Sequence, residues 1–266
     1  MNSAPNGSAT TTNFINPCLA VVHMPKVLIG VVTYGKQRYC LDNLLKCLRA
    51  QTAPTDILFV VNNGESAYTT LLRSMNVNAI EDPKPAATRI EKILNGRNYL
   101  RDHALKNGYD YLFSVDSDVM IPKKTLELLL LMQTDVACGL FLSAFSLDGK
   151  NVIAPVLYKD IGNGECQLYT QEAILVPQFI EAGASSLGCT LISRKVLETV
   201  PFRKMGNSPD GGEDMAFFVD ARAKGFKCIA FSGIKCLHAP FPLTDPRAKL
   251  FEWKNWDGLD YDISQN

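Results

Sequence analysis

The sequence predicts an α/β fold, a single Rossmann-like domain with a mainly parallel central sheet and helices on both faces. Two observations lead to this prediction. From Val27 to Val115, continuous apolar runs of strand length alternate with segments of helical periodicity, as parallel strands buried on both faces require. After Asp135 the predicted strands become shorter and more alternating, which indicates a mixed or antiparallel C-terminal extension of the same sheet.

The predicted elements follow one another in a regular order. In the first half of the chain, strands are expected at residues 27–33, 57–61, 77–80 and 109–115, and helices at 39–51, 67–75 and 86–106. The long third helix is followed by Asn107-Gly108, a typical helix C-terminus. In the second half, strands are expected at 136–141, 152–158, 166–169, 187–193 and 226–231, and a helix at 213–224.

The composition is that of an ordinary globular protein. Of the 266 residues, 47% are hydrophobic and 20% charged, which suffices for a sizeable core in one large domain or two small ones. The 27 basic and 27 acidic residues balance, so generic binding to nucleic acid or anionic lipid is not favoured. The eight cysteines form no C-x-x-C pair, which favours buried thiols in a reducing, cytoplasmic compartment.

One folded domain is expected over residues 26–240, because no Pro/Ser-rich linker or repeat divides the chain. Residues 1–25 begin with a Ser/Thr/Asn/Gly-rich stretch and are expected to form a flexible tail rather than a signal peptide. The longest apolar segment, 126–145, is interrupted by polar residues, so no membrane span is expected. Residues 241–266 are expected either to pack on the domain or to form a lid that grips phosphate and sugar with Arg247, Lys249, Trp253 and Trp256.

The most informative motif is Asp116-Ser117-Asp118, at the end of the buried strand 109–115. Carboxylates are costly at the tip of an apolar strand unless a cation neutralises them. Two oxygens from such a turn suit Mg²⁺ or Mn²⁺, which leave coordination positions open for phosphate oxygens. The alternative is a turn or helix-capping pair, since Asp and Ser favour both.

Polar residues follow three of the predicted parallel strands, and parallel strands present their carboxyl ends at one edge of a sheet, where ligands bind. No G-x-G-x-x-G follows the first strand and no G-x-x-x-x-G-K-[ST] occurs in the chain, so dinucleotide and P-loop sites are disfavoured. We therefore expect a nucleotide site in which the diphosphate is held by a metal and side chains. Its candidate contacts at the strand ends are Thr33, Tyr34, Asn63, Asp116 and Ser117.

Four segments resemble, in their order and spacing, the glycosyltransferases of the GT-A fold, close to the family-2-like group. They are residues 31–35, the helical segment 95–101 leading into 112–119, the segment 183–194, and the segment 212–227 that contains Glu213-Asp214. The resemblance implies a single GT-A domain spanning residues 26–240. It also implies transfer of a sugar from a nucleotide-sugar donor, most often a UDP-sugar, to a hydroxyl of a glycan or glycoprotein acceptor, with Mn²⁺ or Mg²⁺ as the cofactor.

The resemblance assigns the metal site to three residues. Asp118 would be the direct ligand, and Asp116 would contact the ribose or reach the metal through water, so that the ion stabilises the diphosphate leaving group. His238 follows the last predicted strand, where several GT-A enzymes supply a metal-binding histidine. As one of only three histidines, it also fits an ordinary surface or core residue.

Glu213-Asp214 is a second acidic pair, at the predicted start of a helix, where the helix dipole alone would favour carboxylates. In similar inverting enzymes the Asp of this pair deprotonates the acceptor hydroxyl. The resemblance therefore assigns Asp214 as general base and Glu213 as an acceptor contact. Inversion needs a base on the face opposite the leaving group, although no motif in the chain fixes the stereochemistry.

Arg89 and Arg97 lie two turns apart on the predicted helix 86–106, roughly on one side of it. Both are candidate contacts of the diphosphate, with Arg97 the nearer to the acidic motif. The alternative is a solvated charged face.

Other functions fit parts of the sequence. A nucleotidyltransferase that makes a nucleotide-sugar would share the Rossmann-like start and the metal carboxylates, but residues 33–36 are short for its triphosphate loop. A non-catalytic sugar- or nucleotide-binding protein would not need Glu213-Asp214. A haloacid-dehalogenase-type phosphatase is disfavoured, because Met120 stands where its motif has Thr.

Overall fold

A computed structural model describes residues 24–147, 149–163, 165–206 and 212–254. The expected tail at residues 1–25 falls almost entirely outside this range, as does Trp256. The strands are β1 Val27–Thr33, β2 Thr55–Val61, β3 Ala79–Glu81, β4 Tyr111–Asp116, β5 Val119–Met120, β6 Val136–Leu140, β7 Leu142–Leu147, β8 Lys150–Pro155, β9 Leu157–Gly162, β10 Glu165–Leu168, β11 Phe179–Glu181, β12 Ala184–Ser185, β13 Cys189–Ser193, β14 Cys228–Lys235 and β15 Leu237–His238. The α-helices are α1 Leu41–Arg49, α2 Ser66–Ser74, α3 Arg89–Lys106, α4 Thr125–Leu131, α5 Arg194–Thr199 and α6 Glu213–Ala223, and 3₁₀ helices span Gly35–Cys40, Glu172–Ile174 and Pro246–Phe251.

The central sheet has eight strands in the order β11-β14-β6-β13-β4-β1-β2-β3. The strands β4, β1, β2 and β3 pair in parallel, and so do β6 and β14. The strand β13 is antiparallel to both of its neighbours, and the edge strand β11 is antiparallel to β14. The predicted mainly parallel sheet with a mixed C-terminal extension is confirmed.

Helices cover both faces of the sheet, as predicted. Alternate residues of a strand point to opposite faces, and in β1 Ile29 belongs to a core cluster with α1, α2 and α4, whereas Leu28 belongs to one with α3, α5 and α6. The helix α1 buries its apolar side into the first cluster through Leu41, Leu44, Leu45, Cys47 and Leu48. Since the central strands are buried on both sides, only their ends can present polar side chains to a ligand.

Several boundaries differ from the predicted ones for physical reasons. The long helix begins at Arg89 instead of residue 86, because Thr88 and Glu91 form a reciprocal capping box at its start. The predicted strand 152–158 is two strands, β8 and β9, which pair with different partners, β7 and β10. The helix α5 was not predicted. Within the described ranges, no helix is long and apolar enough to cross a bilayer.

Candidate active site

A cleft of about 770 Å³ opens at the carboxyl ends of β1, β2 and β4. Most of the residues predicted for the site line it: Thr33, Tyr34, Arg89, Arg97, Asp116, Ser117, Asp118, Glu213, Asp214 and His238. Asn63 does not, because its side-chain amide donates to the Asp82 carbonyl at 2.9 Å, and Asn62 lines the cleft in its place. The strand ends and the start of α6 thus meet in one cavity, although they are far apart in the sequence.

Short strand pairing positions His238 beside the acidic motif. The chain turns through Ser117-Asp118 into β5, which pairs antiparallel with β15 so that His238 lies opposite Val119. The backbone amide of Ala239 also donates to the Asp118 carbonyl at 2.8 Å. As a result His238 Nε2 lies 3.8 Å from Asp118 Oδ2.

The environment of His238 fixes the direction in which its ring points. Its Nδ1 lies 2.9 Å from the carbonyl of Leu142, and since a carbonyl can only accept, Nδ1 carries the proton and Nε2 faces Asp118. The rings of Phe141 and Phe251 pack on the imidazole with centroids 5.0 and 5.4 Å away. Burial alone would lower the pKa of His238, but the contacts with Asp118, the Leu142 carbonyl and Asp116 together raise it by more, so the net shift is upward.

Asp118 and His238 fit a divalent cation as a pair of ligands. Ligand distances near 2.0–2.2 Å to carboxylate oxygen and imidazole nitrogen are typical of such ions, so two donors 3.8 Å apart can share one ion. No three His, Cys, Asp or Glu side chains in the described part of the chain are arranged to hold a metal. An ion bound here would therefore need further oxygens from phosphate or water, as Mg²⁺ commonly does.

Arg97 joins the two acidic pairs. It is 5% exposed and donates to Ser114 Oγ at 2.9 Å and to Asp116 Oδ1 at 3.0 Å. A second nitrogen–oxygen pair, Arg97 Nη2 to Asp214 Oδ1, is 3.6 Å long. Its neighbour Gly96 lets α3 approach β1 closely, because a Cβ there would lie 2.8 Å from a methyl of Val32. The sequence assigned Arg97 to a diphosphate, whereas the structure makes it the shared counter-charge of two carboxylates.

Asp214 is the second residue of the helix α6, whose N-cap Gly212 has a left-handed φ of 55°, a conformation that glycine adopts readily. Ser186 Oγ donates to Asp214 Oδ2 at 3.1 Å, and the other oxygen, Oδ1, is buried with no hydrogen-bond donor among the described residues. Burial raises the pKa of Asp214 to about 7, the carboxylates of Glu213 and Asp116 act in the same direction, and Arg97 opposes them. This carboxylate can therefore gain or lose a proton near neutral pH.

Asp116 lies in the same cleft, between Arg97 and Gly188. Burial, with Asp118 and Glu213 nearby, raises the pKa of Asp116 despite the contact with Arg97. Gly188 leaves room for its second oxygen, since a Cβ there would lie 2.5 Å from Asp116 Oδ2. One oxygen of Asp116 is thus engaged by Arg97, and Asp118 is the acid of this motif that faces His238.

Several cleft residues were not predicted from the sequence. The Gln37 amide donates to Asp118 Oδ2 at 3.2 Å, and the Gly35 amide donates to the Glu65 carboxylate. Phe145 and Tyr158, from different strands, form an edge-to-face pair with centroids 6.2 Å apart on the cleft wall. Gln37, Glu65, Phe145 and Tyr158 line the cleft but belong to no motif, and only tertiary packing brings them together.

The C-terminal segment is packed on the domain up to Lys254. Phe251 and Trp253 are buried, and the Trp253 indole donates to the carbonyl of Cys236 at 2.9 Å. Arg247 pairs with Asp245 and lies over the ring of Phe241. None of Arg247, Lys249 and Trp253 lines the cleft, so this part of the segment covers the outer side of His238 and does not reach over the cavity.

Comparisons with known proteins add little to this geometry. No family model matches the chain, and no curated protein matches it. Among solved structures, the chain is similar to A197 from STIV, with 18% sequence identity, 82% of this chain and 87% of that chain covered, and a TM-score of 0.44. The residues of the cleft therefore have to indicate the function by themselves.

Proposed function

We propose that the protein is a metal-dependent glycosyltransferase, which transfers a sugar from a UDP-sugar donor to a hydroxyl of a glycan or glycoprotein acceptor with inversion. The observation that carries this proposal is the contact of one buried arginine, Arg97, with both Asp116 and Asp214. This contact brings the acidic turn 116–118, which we propose as the metal site, and a second carboxylate of raised pKa into a single cleft.

The donor half of the proposal is supported by the strand ends. Thr33, Tyr34 and Asn62 line the side of the cleft formed by β1 and β2, where a nucleoside would bind in a parallel α/β sheet. Asp118 and His238 would hold Mn²⁺ or Mg²⁺ next to it. When bound, such an ion neutralises the charge that develops on the nucleoside diphosphate as the sugar–oxygen bond breaks.

The acceptor half is supported by the environment of Asp214. Oδ1 is buried beside Arg97, so Oδ2, which accepts from Ser186, would take the proton of an incoming hydroxyl. A pKa of about 7 suits this role, because it lets the carboxyl group both accept and release the proton near neutral pH. Glu213, which precedes Asp214 in the sequence and also lines the cleft, would contact the acceptor.

The first experiment identifies the donor. Thermal unfolding is measured with a panel of nucleotide sugars, with and without Mn²⁺, since a ligand that binds the native state raises the unfolding temperature by mass action. A UDP-sugar that stabilises the protein more strongly in the presence of Mn²⁺ is the expected result. The absence of stabilisation by any nucleotide sugar in either buffer would contradict the proposal.

The second experiment separates an enzyme from a binding protein. Asp214→Asn keeps the shape of the side chain and should lower the rate of UDP release by ~10²–10⁴-fold, while the affinity for UDP stays near that of the wild type, because the base acts in the transition state. Asp220→Asn on the same helix, where Asp220 pairs with the half-exposed Arg203, is the matched control. NMR of the product linkage gives the stereochemistry, and a retained configuration would remove Asp214 from this role.

A wild-type protein that binds the donor but releases no UDP with any acceptor, including water, would instead be a sugar- or nucleotide-binding protein. If Asp214→Asn reacts at the wild-type rate, the protein is still a transferase, but another group takes the proton of the acceptor hydroxyl.

A further inference from the structure

One face of the helix α3 lines the cleft and carries three cations. Arg89, Lys92 and Arg97 all belong to the cleft wall. Lys92 follows Arg89 by three residues and Arg97 follows it by eight, about two turns, so each lies roughly on the side of the helix that carries Arg89. Their surroundings differ along the helix. Arg97, the innermost, contacts Ser114, Asp116 and Asp214.

The two outer cations lack such partners. Among residues 24–147, 149–163, 165–206 and 212–254, none lies within ion-pair or hydrogen-bond distance of the side chains of Arg89 and Lys92. The same is true of Lys36, which reaches the cleft from the 3₁₀ helix after β1. Elsewhere in the described chain, Arg203 pairs with Asp220 and Arg222 pairs with Asp160.

The position of Arg89 and Lys92 on the helix is unfavourable for the free protein. Both lie in the first turns of α3, which begins at Arg89, and the positive end of the helix dipole repels cations there. Some of the backbone amides at this end already donate to the side chains of the capping box, Thr88 and Glu91. These amides are therefore not free to bind a ligand. Positive charges that converge in a concave cleft raise the local concentration of anions.

We propose that Lys36, Arg89 and Lys92 form an anion subsite that binds the diphosphate of a nucleoside diphosphate directly, so that the nucleotide binds this protein even without a divalent metal. The identity of the ligand rests on the proposed function, while the anion subsite itself rests on three cations that line one cleft and have no partner among the residues that the structure describes. Charge balance supports it, because a divalent ion already held by the Asp118 carboxylate would neutralise only part of a diphosphate, and the remaining negative charge would fall to cationic side chains.

The test measures binding of UDP and of inorganic pyrophosphate by titration calorimetry to chelator-treated protein. Both are expected to bind without metal, with an affinity that falls as the salt concentration rises. Arg89→Gln/Lys92→Gln should weaken both by roughly tenfold or more for each cation removed, since charge-assisted hydrogen bonds are lost. Arg89→Lys/Lys92→Arg keeps the charges and should lose much less.

The matched control is Lys106→Gln/Lys224→Gln, which removes the same number of charges at exposed positions at the C-terminal ends of α3 and α6, outside the cleft. It should bind both probes as the wild type does. Lys36→Gln, on a different element, provides a variant that leaves the helix untouched and should also weaken both probes. Thermal unfolding of each variant shows that a loss of binding is not a loss of folding.

The outcomes separate this inference from the proposed function. If UDP binds tightly with Mn²⁺ but neither probe binds without it, or if both variants bind as the wild type does, the anion subsite is overturned and the glycosyltransferase proposal stands. If pyrophosphate binds without metal and loses affinity in the variants, while UDP binds no better than pyrophosphate and no nucleotide sugar stabilises the protein, the subsite stands and the nucleotide assignment is overturned.

Discussion

The two acidic pairs of the cleft are positioned by different means. Asp118 lies in a turn fixed by backbone contacts, since β5 pairs with β15 and the amide of Ala239 donates to the Asp118 carbonyl. Asp214 lies at the first turn of α6, and its contacts are with the side chains of Ser186 and Arg97. The first acid is thus held by the main chain, which moves little, and the second by side chains, which can rearrange when a ligand enters.

Asp118 and Asp214 also differ in their electrostatic surroundings. Asp118 Oδ2 accepts from the Gln37 amide and faces a ring nitrogen of His238. Asp214 is near Glu213 and Asp116 with one counter-charge between them, and its pKa is about 7. Two carboxylates in one cleft can take different roles when their environments separate their protonation. In this protein Asp118, the rigid acid, suits metal binding, and Asp214, the adjustable acid, suits proton transfer.

The largest effect should come from the rigid acid. Asp118→Ala removes the carboxylate that faces His238, and the loss of metal-based charge stabilisation, worth several kcal/mol, should reduce transfer by ~10⁴-fold. It should also abolish the gain in UDP affinity that Mn²⁺ provides, which calorimetry can measure. If Asp118→Ala and Asp214→Asn both leave the Mn²⁺ dependence of UDP binding intact, the division of roles between the two acids is wrong.

The stability of the site should depend most on the arginine that connects the two acids. Arg97→Met leaves the Asp116 and Asp214 carboxylates without their counter-charge, and breaking a buried pair in this way typically costs ~3–5 kcal/mol of unfolding free energy. Arg203→Met, which removes an exposed partner of Asp220, is the control and should cost ~1 kcal/mol or less. Equal losses in the two variants, measured by urea unfolding, would mean that the cleft does not depend on Arg97 as a shared counter-charge.

A smaller effect is expected for the partner of the rigid acid. His238→Ala should raise the Mn²⁺ concentration needed for half-maximal activity by ~10–100-fold, because one of two protein ligands is lost. His103→Ala is the control, since His103 stacks on Tyr99 on the far part of α3 and does not line the cleft. If His238→Ala lowers the unfolding temperature and leaves the Mn²⁺ requirement unchanged, His238 is a core residue.

Much of this architecture could be predicted, because the strands β1, β2 and β4 are long continuous apolar runs whose ends are polar. The cleft contacts between distant segments could not. Asn62 and Asn63 are neighbours in sequence, and successive strand residues point to opposite sides, so pattern alone could not decide which one faces the cleft. Ser186 lies in a connection with no motif, and it becomes a partner of Asp214 only through the packing of α6 on the sheet.

Arg97 shows why charge on a helix face is hard to interpret from sequence. Its spacing from Arg89 predicted one common side, and both do line the cleft. The difference in their environments depends on depth, since Gly96 brings that part of α3 against Val32 and buries Arg97 next to the acids. Residue spacing predicts which side of a helix a cation lies on but not how deeply it is buried. Burial decides whether the cation neutralises carboxylates of the protein or a bound anion.

The smallest expected effect is a pH dependence that tests the adjustable acid without any substrate. Burial raises the pKa of Asp214 from its ordinary value of 3.8 to about 7, so the folded state keeps a proton that the unfolded chain loses. The stability due to this group is therefore fully present below pH ~4 and is lost as the pH rises towards ~7. Asp214→Asn cannot titrate, so its stability relative to the wild type should increase over this range by at least ~1 kcal/mol.

Urea unfolding in chelator measures this difference, and Asp245→Asn provides the control. Its partner Arg247 lowers the pKa of Asp245 to about 2, so stability from that group is lost only as the pH falls below ~4, and the difference from the wild type should be constant between pH ~4 and ~7. A constant difference for Asp214→Asn as well would mean that Asp214 is fully ionised throughout this range. It would then be a structural partner of Arg97, and the contrast between the two acids would lie only in how they are held.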